Sequence, residues 1–110
     1  MAALGKKLRS VQAERGRAVM FWCPGCNEGH KVMVDDGPAP RWSFNGDGDR
    51  PTFQPSVRVQ WPDPDHPGRY IKACHSWVTD GQIEFLADST HHLSGQTVEL
   101  PDWPHITDMT

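Results

Sequence analysis

The sequence Cys-Pro-Gly-Cys at residues 23–26 is the feature that most limits how this chain can fold. An apolar run over residues 18–22 leads directly into it, as a buried strand entering a tight turn does. Such a turn directs two thiolates at one tetrahedral ion and is the half-site of a zinc ribbon. The pattern therefore predicts a metal site at the end of a strand.

The number and spacing of the cysteines favour metal ligation over disulfide formation. The chain has three cysteines, an odd number that fits a reducing compartment. Cys74 is the expected third ligand of a structural zinc site that begins with Cys23 and Cys26. His30 is the first choice for the fourth ligand, and His91 is the second. The alternative is a redox-active cysteine pair with a free, buried Cys74, but no βαβ pattern surrounds the pair.

Composition and turn residues predict short strands joined by ordered loops. The 110 residues include ten prolines and ten glycines, which leave little room for long helices. The expected fold is mostly β: a small, single-domain antiparallel sheet with a ribbon-like zinc knuckle and at most one or two short helical turns. Residues 17–110 are predicted to form this zinc-stabilised domain, and residues 1–16 a partly ordered N-terminal arm.

A β-hairpin is predicted around Asp80-Gly81, a pair that favours a two-residue type I′ turn. Pairing Thr79 with Gln82 then assigns each side chain to a face. One face holds Cys74, Ser76, Val78, Ile83, Phe85 and Ala87, and the other holds His75, Trp77, Thr79, Gln82, Glu84 and Leu86. Cys74 and His75 therefore point in opposite directions, which leaves His75 free for catalysis. The alternative is a satisfied, partly buried histidine.

Ser56 is the candidate nucleophile. Residues 53–61 alternate apolar and polar side chains, as in a strand with one buried face. Pro51 and Pro55 cannot donate to a ladder, so an edge strand or a bulge is expected. Ser56 is predicted mid-strand on the polar face, and it can act as a nucleophile if His75 lies within hydrogen-bond reach. Otherwise it is an ordinary solvent-facing serine.

Two residues after the hairpin are candidates to orient or supplement the histidine. Asp88 and His91 follow the second strand closely, and the members of a catalytic triad are defined by geometry rather than by order in the chain. The alternative is that Asp88 or Ser89 is a helix cap, since one helical turn is predicted over residues 89–94.

Charge and hydropathy exclude some classes of partner. The formal net charge of −3 gives no general attraction for a polyanion. Nucleic acid binding would require a basic patch assembled by folding from Arg41, Arg50, Arg58, Arg69 and Lys72. No apolar run approaches the roughly 20 residues of a membrane span, and no secretory signal is evident. A cytoplasmic protein without membrane contact is expected, with a protein substrate or a host protein as its partner.

Several short motifs together resemble a known family. They are Phe21-Trp22-Cys23-Pro24-Gly25-Cys26 with His30, Trp42-Ser43-Phe44-Asn45-Gly46, Pro51-Thr52-Phe53 with Pro55-Ser56, Cys74-His75, Asp80-Gly81, and the stretch from Thr90-His91 to Val98. Together they resemble a family of small phage proteins often mislabelled as ammonia monooxygenases. That family is distantly similar to the zinc-containing, serine-peptidase-like proteins encoded beside bacterial ubiquitin-like conjugation genes.

The resemblance implies particular roles for the matched residues. It implies zinc at Cys23, Cys26 and Cys74, with Ser56 as the nucleophile and His75 as the base. The relatives use a further cysteine as the fourth ligand, which this chain lacks, so His30 or His91 must substitute for it.

Three functions are compatible with these features. The leading hypothesis is a serine-type peptidase or deconjugating hydrolase that acts on a protein tail and carries a structural zinc, in the host cytoplasm if the protein is encoded by a phage. The first alternative is a non-catalytic phage zinc-binding module that binds a host protein. The second alternative is a zinc ribbon that binds nucleic acid.

Overall fold

The structure is a computed structural model that describes residues 2–14, 16–35 and 39–104. These residues form ten strands and no helix, arranged in two four-stranded sheets and one two-stranded sheet. All strand pairs are antiparallel. The predicted mostly β fold is confirmed. Within the described part of the chain, no helix has the length and apolar character needed to cross a membrane.

The first sheet has the strand order β1-β2-β3-β4. Its strands are β1 (Ala2–Leu4), β2 (Leu8–Ala13), β3 (Gly16–Cys23) and β4 (Glu28–Met33). Where the sequence predicted a partly ordered arm over residues 1–16, the structure has β1 and β2. The reason is tertiary: Leu8 pairs with Phe21 on β3, and both side chains are fully buried.

The second sheet has the order β10-β9-β8-β7. Its strands are β7 (Val57–Pro62), β8 (Tyr70–Thr79), β9 (Gln82–Phe85) and β10 (Thr97–Glu99), and the two-stranded sheet pairs β5 (Ser43–Phe44) with β6 (Phe53–Gln54). The predicted hairpin register is confirmed, because Thr79 pairs with Gln82. Asp80 and Gly81 have φ values of 50° and 79°, as a type I′ turn requires.

The predicted strand over residues 53–61 is divided into β6 and β7. Ser56 lies in the break immediately before β7, so its predicted mid-strand position is wrong. Pro55 explains the break, because proline has no N–H group to donate a hydrogen bond to the neighbouring strand. The edge position and the irregularity are both confirmed: β7 is the last strand of its sheet, and its register shifts between Trp61 and Pro62.

The core lies between the two larger sheets. The first sheet and β6 contribute Leu8, Val19, Phe21, Val32 and Phe53, and the second sheet contributes Val57, Val78, Ile83 and Phe85. The same buried cluster includes Cys23 from β3 and Cys74 from β8. The two sheets therefore meet where these cysteines lie.

The loop between β5 and β6 packs against the first sheet. The carboxylate of Asp47 accepts hydrogen bonds from the N–H groups of Asp49 (2.9 Å) and Arg50 (3.1 Å), which lower its pKa. The Gly48 carbonyl accepts a hydrogen bond from the N–H of Lys7 (3.1 Å). The loop is therefore a structured turn that is anchored to the β1–β2 connection.

Gly48→Ala is expected to lower the free energy of unfolding by about 2 kcal/mol or more. A Cβ atom at this position would lie 1.9 Å from the carbonyl oxygen of Leu4, so the backbone must shift. Gly46→Ala is the control, because Gly46 has a φ of +82° and nothing within 4 Å of the added atom. That variant should lose only about 1 kcal/mol, the cost of a left-handed conformation. Urea unfolding measures both losses, and equal losses would contradict the close packing of Gly48.

Candidate active site and metal centre

Four predicted ligands come together between the two sheets. One ligand atom each from Cys23, Cys26, His30 and Cys74 can be chosen so that all lie within 4.8 Å of one another. Three of these residues come from the β3–β4 hairpin, and Cys74 comes from β8 of the second sheet. The cluster can therefore hold a metal ion that joins the two sheets.

The hairpin turn shapes the first half of this site. Cys23 ends β3, and its carbonyl accepts a hydrogen bond from the N–H of Asn27 (2.8 Å), whose φ is 57°. The N–H of Cys26 lies 3.4 Å from the Cys23 Sγ atom. His30 then pairs with Phe21 and is buried at the core. The Sγ atoms of Cys23 and Cys74 are 3.8 Å apart.

The electrostatics of the cluster fit a cation at its centre. A hydrogen bond from Cys74 lowers the pKa of Cys23 to about 4, while the same bond raises the pKa of Cys74. Burial raises the pKa of Cys26 to about 11. Without a cation, the three neighbouring sulfur atoms therefore favour one thiolate and two neutral thiols over three thiolates. A divalent ion would stabilise all three thiolates, and thiolates are the form that binds metal.

His30 gives an independent test of this fit. Its side chain is only 3% exposed, and its Nε2 atom has no hydrogen-bond partner among the described residues. An unsatisfied buried polar atom is unfavourable unless something binds it. Three thiolates and one imidazole nitrogen form a complete tetrahedral set for a structural ion.

On the opposite face of β8, the structure brings Ser56, His75 and Asp88 together. The Ser56 Oγ atom lies 2.8 Å from His75 Nε2. On the other side of the ring, His75 Nδ1 lies 3.3 Å and 3.2 Å from the two carboxylate oxygens of Asp88. The His75 side chain is 22% exposed and that of Asp88 is 46% exposed, so the site is open to solvent.

Strand register accounts for the first of these contacts. Arg58 on β7 pairs with His75 on β8, and Val57 pairs with Ser76. Ser56 is therefore diagonal to His75 on the same side of the sheet, within reach of a long side chain. Because side chains alternate along β8, Cys74 points into the cluster of four candidate metal ligands, which we name the metal cluster, while His75 faces Ser56.

This geometry can support acyl transfer. A histidine whose Nδ1–H donates to a carboxylate has its lone pair on Nε2, where it can accept the proton of a serine hydroxyl. The order along the chain is Ser56, His75 and Asp88, and no nucleophile elbow is needed to assemble it.

A model of one protein family matches most of the chain. The family is described as bacterial ubiquitination-like system serine protease (BubE), and the match covers residues 3–86. The chain belongs to the BubE family. The matched region includes the four clustered ligands, Ser56 and His75, and it ends just before Asp88. No curated protein and no solved structure matches the chain significantly.

Membership of the BubE family confirms the predicted relation to bacterial ubiquitin-like systems. The resemblance to phage proteins stays a prediction.

Two residues that support the candidate active site were missed by sequence reasoning. Ser89 Oγ accepts a hydrogen bond from the N–H of His75 (3.0 Å) and donates to its carbonyl (3.1 Å). The predicted helical turn is absent from residues 89–94, and Ser89 binds the backbone of β8 instead of capping a helix. Trp42 Nε1 donates to the carbonyl of Ser56 (3.2 Å). The sequence carries no signal for either contact, because each joins distant segments.

His91 lies at the metal cluster instead of beside Ser56 and His75. Its Nε2 atom is 3.4 Å from the Sγ atom of Cys74, and burial lowers its pKa. His91 is not one of the four clustered ligands, which include His30. The geometry therefore favours His30 as the fourth ligand.

Proposed function

We propose that this protein is a serine-type peptidase or deconjugating hydrolase that cleaves an amide bond at the tail of a small protein and is stabilised by a structural zinc ion. The observation that carries the proposal is the 2.8 Å contact between Ser56 Oγ and His75 Nε2, with Asp88 on the far side of the ring. The description of the BubE family as serine proteases supports it.

The reaction follows from these contacts. His75 Nε2 takes the proton of Ser56 as Oγ attacks the substrate carbonyl carbon, and the C=O electron pair moves onto oxygen. When the tetrahedral intermediate collapses, the C–N bond breaks and the leaving amine takes the proton from His75. Water then attacks the acyl-serine ester, with His75 again acting as the base, and the acid is released.

Asp88 orients the histidine and stabilises its charge. Its carboxylate accepts the Nδ1–H of His75, which keeps the lone pair of Nε2 directed at the serine. The guanidinium of Arg58 lies 3.8 Å from an oxygen of Asp88 and forms an ion pair with it. Arg58 therefore helps to hold the carboxylate of Asp88, and Ser89 helps to hold the backbone of His75.

The metal has a structural role in this proposal. Zinc suits three thiolates and one imidazole, and four protein ligands leave no open position for a substrate or a water. When bound, the ion would join the β3–β4 hairpin to β8 and so support the strand that carries His75.

The surface around His75 suits an extended protein segment. Ile71 and Trp77 lie on the same face of β8 as His75, and they are 65% and 37% exposed. Large apolar side chains beside an open catalytic pair can contact the residues that flank a scissile bond. We therefore favour a protein tail over a small molecule, and the ubiquitin-like protein of the same bacterial system is the proposed source of that tail.

The nucleic acid alternative gains no support from the arrangement of basic residues. Ion pairs between described residues involve Arg50 with Asp80, Arg58 with Asp88, and Lys72 with Glu28, all candidates for the basic patch. In each pair, the acidic side chain offsets the attraction of the basic side chain for phosphate. The formal net charge of −3 adds no general attraction for a polyanion.

Incubation with a ubiquitin-like protein of the same system, extended at its C-terminus by a reporter peptide, tests the proposal directly. Mass spectrometry should detect a single cut with transient acylation of Ser56. A substrate that stays intact, together with no labelling of Ser56 by a serine-reactive fluorophosphonate, would favour the non-catalytic binding module.

Asp88→Asn is expected to lower the rate of fluorophosphonate labelling roughly 100-fold, because asparagine has no negative charge to stabilise protonated His75, and its amide N–H can donate to Nδ1 and so move the ring proton to Nε2. Asp80→Asn is the matched control, since Asp80 is also an exposed acid and pairs with Arg50 in the hairpin turn. Labelling of the control should stay within about twofold of wild type. Equal rates for all three proteins would remove Asp88 from the proposed site.

A further inference from the structure

The segment after β9 contacts both functional sites. Pairing of β8 with β9 ends at Ser76 and Phe85, and the chain then continues as a loop over residues 86–95, which we name the bridging loop. Its N–H groups at Leu86 and Thr90 donate to the carbonyls of His75 (2.9 Å) and Ala73 (2.9 Å). The bridging loop therefore runs beside β8 where β9 has ended.

This path lets the bridging loop reach both faces of β8. Asp88 contacts His75 on the face of the candidate active site. His91, three residues later, contacts Cys74 on the face of the metal cluster. Because Cys74 and His75 are adjacent, the loop joins the two sites over a very short distance.

The hydrogen bonds of His91 define which nitrogen carries its proton. The N–H of Leu93 donates to His91 Nδ1 (3.2 Å), so Nδ1 is an acceptor. In the neutral ring the proton is then on Nε2, which donates to Cys74 Sγ at 3.4 Å. His91 thus acts on a ligand of the metal rather than on the metal.

The ring of His91 is also held by its packing. It meets Phe85 edge to face, with ring centroids 4.4 Å apart. The ring also lies close to the cysteine knuckle, where a Cβ atom on Gly25 would be 2.2 Å from His91 Cε1. Only glycine at position 25 leaves room for the ring.

We infer that His91 is a positioning residue that couples the metal centre to the serine, histidine and aspartate of the proposed active site. Its N–H···S bond to Cys74 stabilises the thiolate and at the same time fixes the bridging loop so that Asp88 stays on His75. The part that concerns Asp88 rests on the proposed function, whereas the part that concerns metal affinity does not.

His91→Phe tests the inference, because phenylalanine keeps a ring against Phe85 but has no N–H to donate. The apparent affinity for Co²⁺, measured by chelator competition and the absorption of cobalt bound to thiolates, should fall 10- to 100-fold. In protein saturated with zinc, the NMR signal of the His75 Nδ1–H proton should weaken, and fluorophosphonate labelling of Ser56 should slow about tenfold. The control is His92→Phe at the exposed neighbouring position, which should leave all three measurements unchanged.

His91→Gln should restore part of the Co²⁺ affinity, since its amide can donate to Cys74. A merely structural need for a ring predicts no such restoration. Wild-type Co²⁺ affinity in His91→Phe would overturn the inference.

Gly25→Ala gives an independent route that leaves every ligand and His91 itself intact. The φ of Gly25 is not positive, so alanine is compatible with the backbone, and any effect comes from displacing the His91 ring. Gly25→Ala should lower Co²⁺ affinity as much as His91→Ala, and the double variant should lose no more than His91→Ala alone. Additive losses would overturn the inference. If wild-type Ser56 proved unreactive, the proposed function would fail, while the cobalt and NMR measurements would still decide the role of His91.

Discussion

Ser56→Ala is expected to abolish fluorophosphonate labelling and to lower the rate of tail cleavage by at least about 1000-fold, because it removes the proposed nucleophile. The probe reacts by forming a P–O bond to Oγ as fluoride leaves, and the rate depends on proton transfer to His75. The variant should fold normally, since Ser56 is only half-buried and its hydroxyl contacts His75 alone among the hydrogen bonds of the described residues. Intact mass spectrometry measures labelling, and circular dichroism checks the fold.

His75→Ala should cause a loss of similar size, and the double variant should be no slower than either single variant, since the two residues act as one unit. Ser43→Ala is the control, because Ser43 is an exposed serine on β5 whose hydroxyl donates to the backbone carbonyl of Gln54 (3.4 Å). Labelling of Ser56→Ala at the wild-type rate would rule out the proposed nucleophile.

Cys74→Ser is expected to release the metal and to unfold most of the protein at room temperature. Structural zinc contributes about 10 kcal/mol or more to the folding of small metal-binding domains, while a domain of this size is stable by only about 5–15 kcal/mol. Cys74 is the one residue of the four-residue cluster that comes from the second sheet, so it would join that sheet to the β3–β4 hairpin through a bound ion. Wild type should contain about one zinc per chain by elemental analysis, the variant less than a tenth of that amount, and thermal unfolding should show the lost stability.

Ser76→Ala is the control for this substitution. Ser76 lies on the same face of β8 as Cys74 and is fully buried, and within the described part of the chain its hydroxyl has no hydrogen-bond partner. Its replacement should therefore leave the metal content unchanged, and the stability of the protein should be unchanged or slightly higher. Purified wild-type protein that contains no metal and unfolds at the same temperature as Cys74→Ser would disprove the structural role of the ion.

Features that depend on near neighbours could be predicted well. Asp80-Gly81 adopts the positive φ values that its residue types favour, and the resulting pairing of Thr79 with Gln82 determines which side of β8 each residue faces. The tight turn that follows β3 at the cysteine knuckle was predicted from local turn chemistry in the same way.

Features that depend on contacts between distant segments could not be predicted. Leu8 lies in a strand because it pairs with Phe21 on the neighbouring strand β3. Nothing in the spacing of residues 2–13 indicates this pairing. Serine is a residue type that favours helix caps, yet the hydroxyl of Ser89 hydrogen-bonds to the backbone N–H and C=O of His75 on β8 instead.

By itself, the sequence determined that Cys23 and Cys26 share one turn and that Cys74 and His75 face opposite ways, because both follow from the geometry of a few adjacent residues. Only the tertiary structure placed His30, rather than His91, in the four-residue cluster with the cysteines, and only it placed Ser56 at 2.8 Å from His75. Those positions depend on how β7 pairs with β8 and on where β9 ends. Strand pairing of this kind is settled by the burial of the whole core, so it has no local signature.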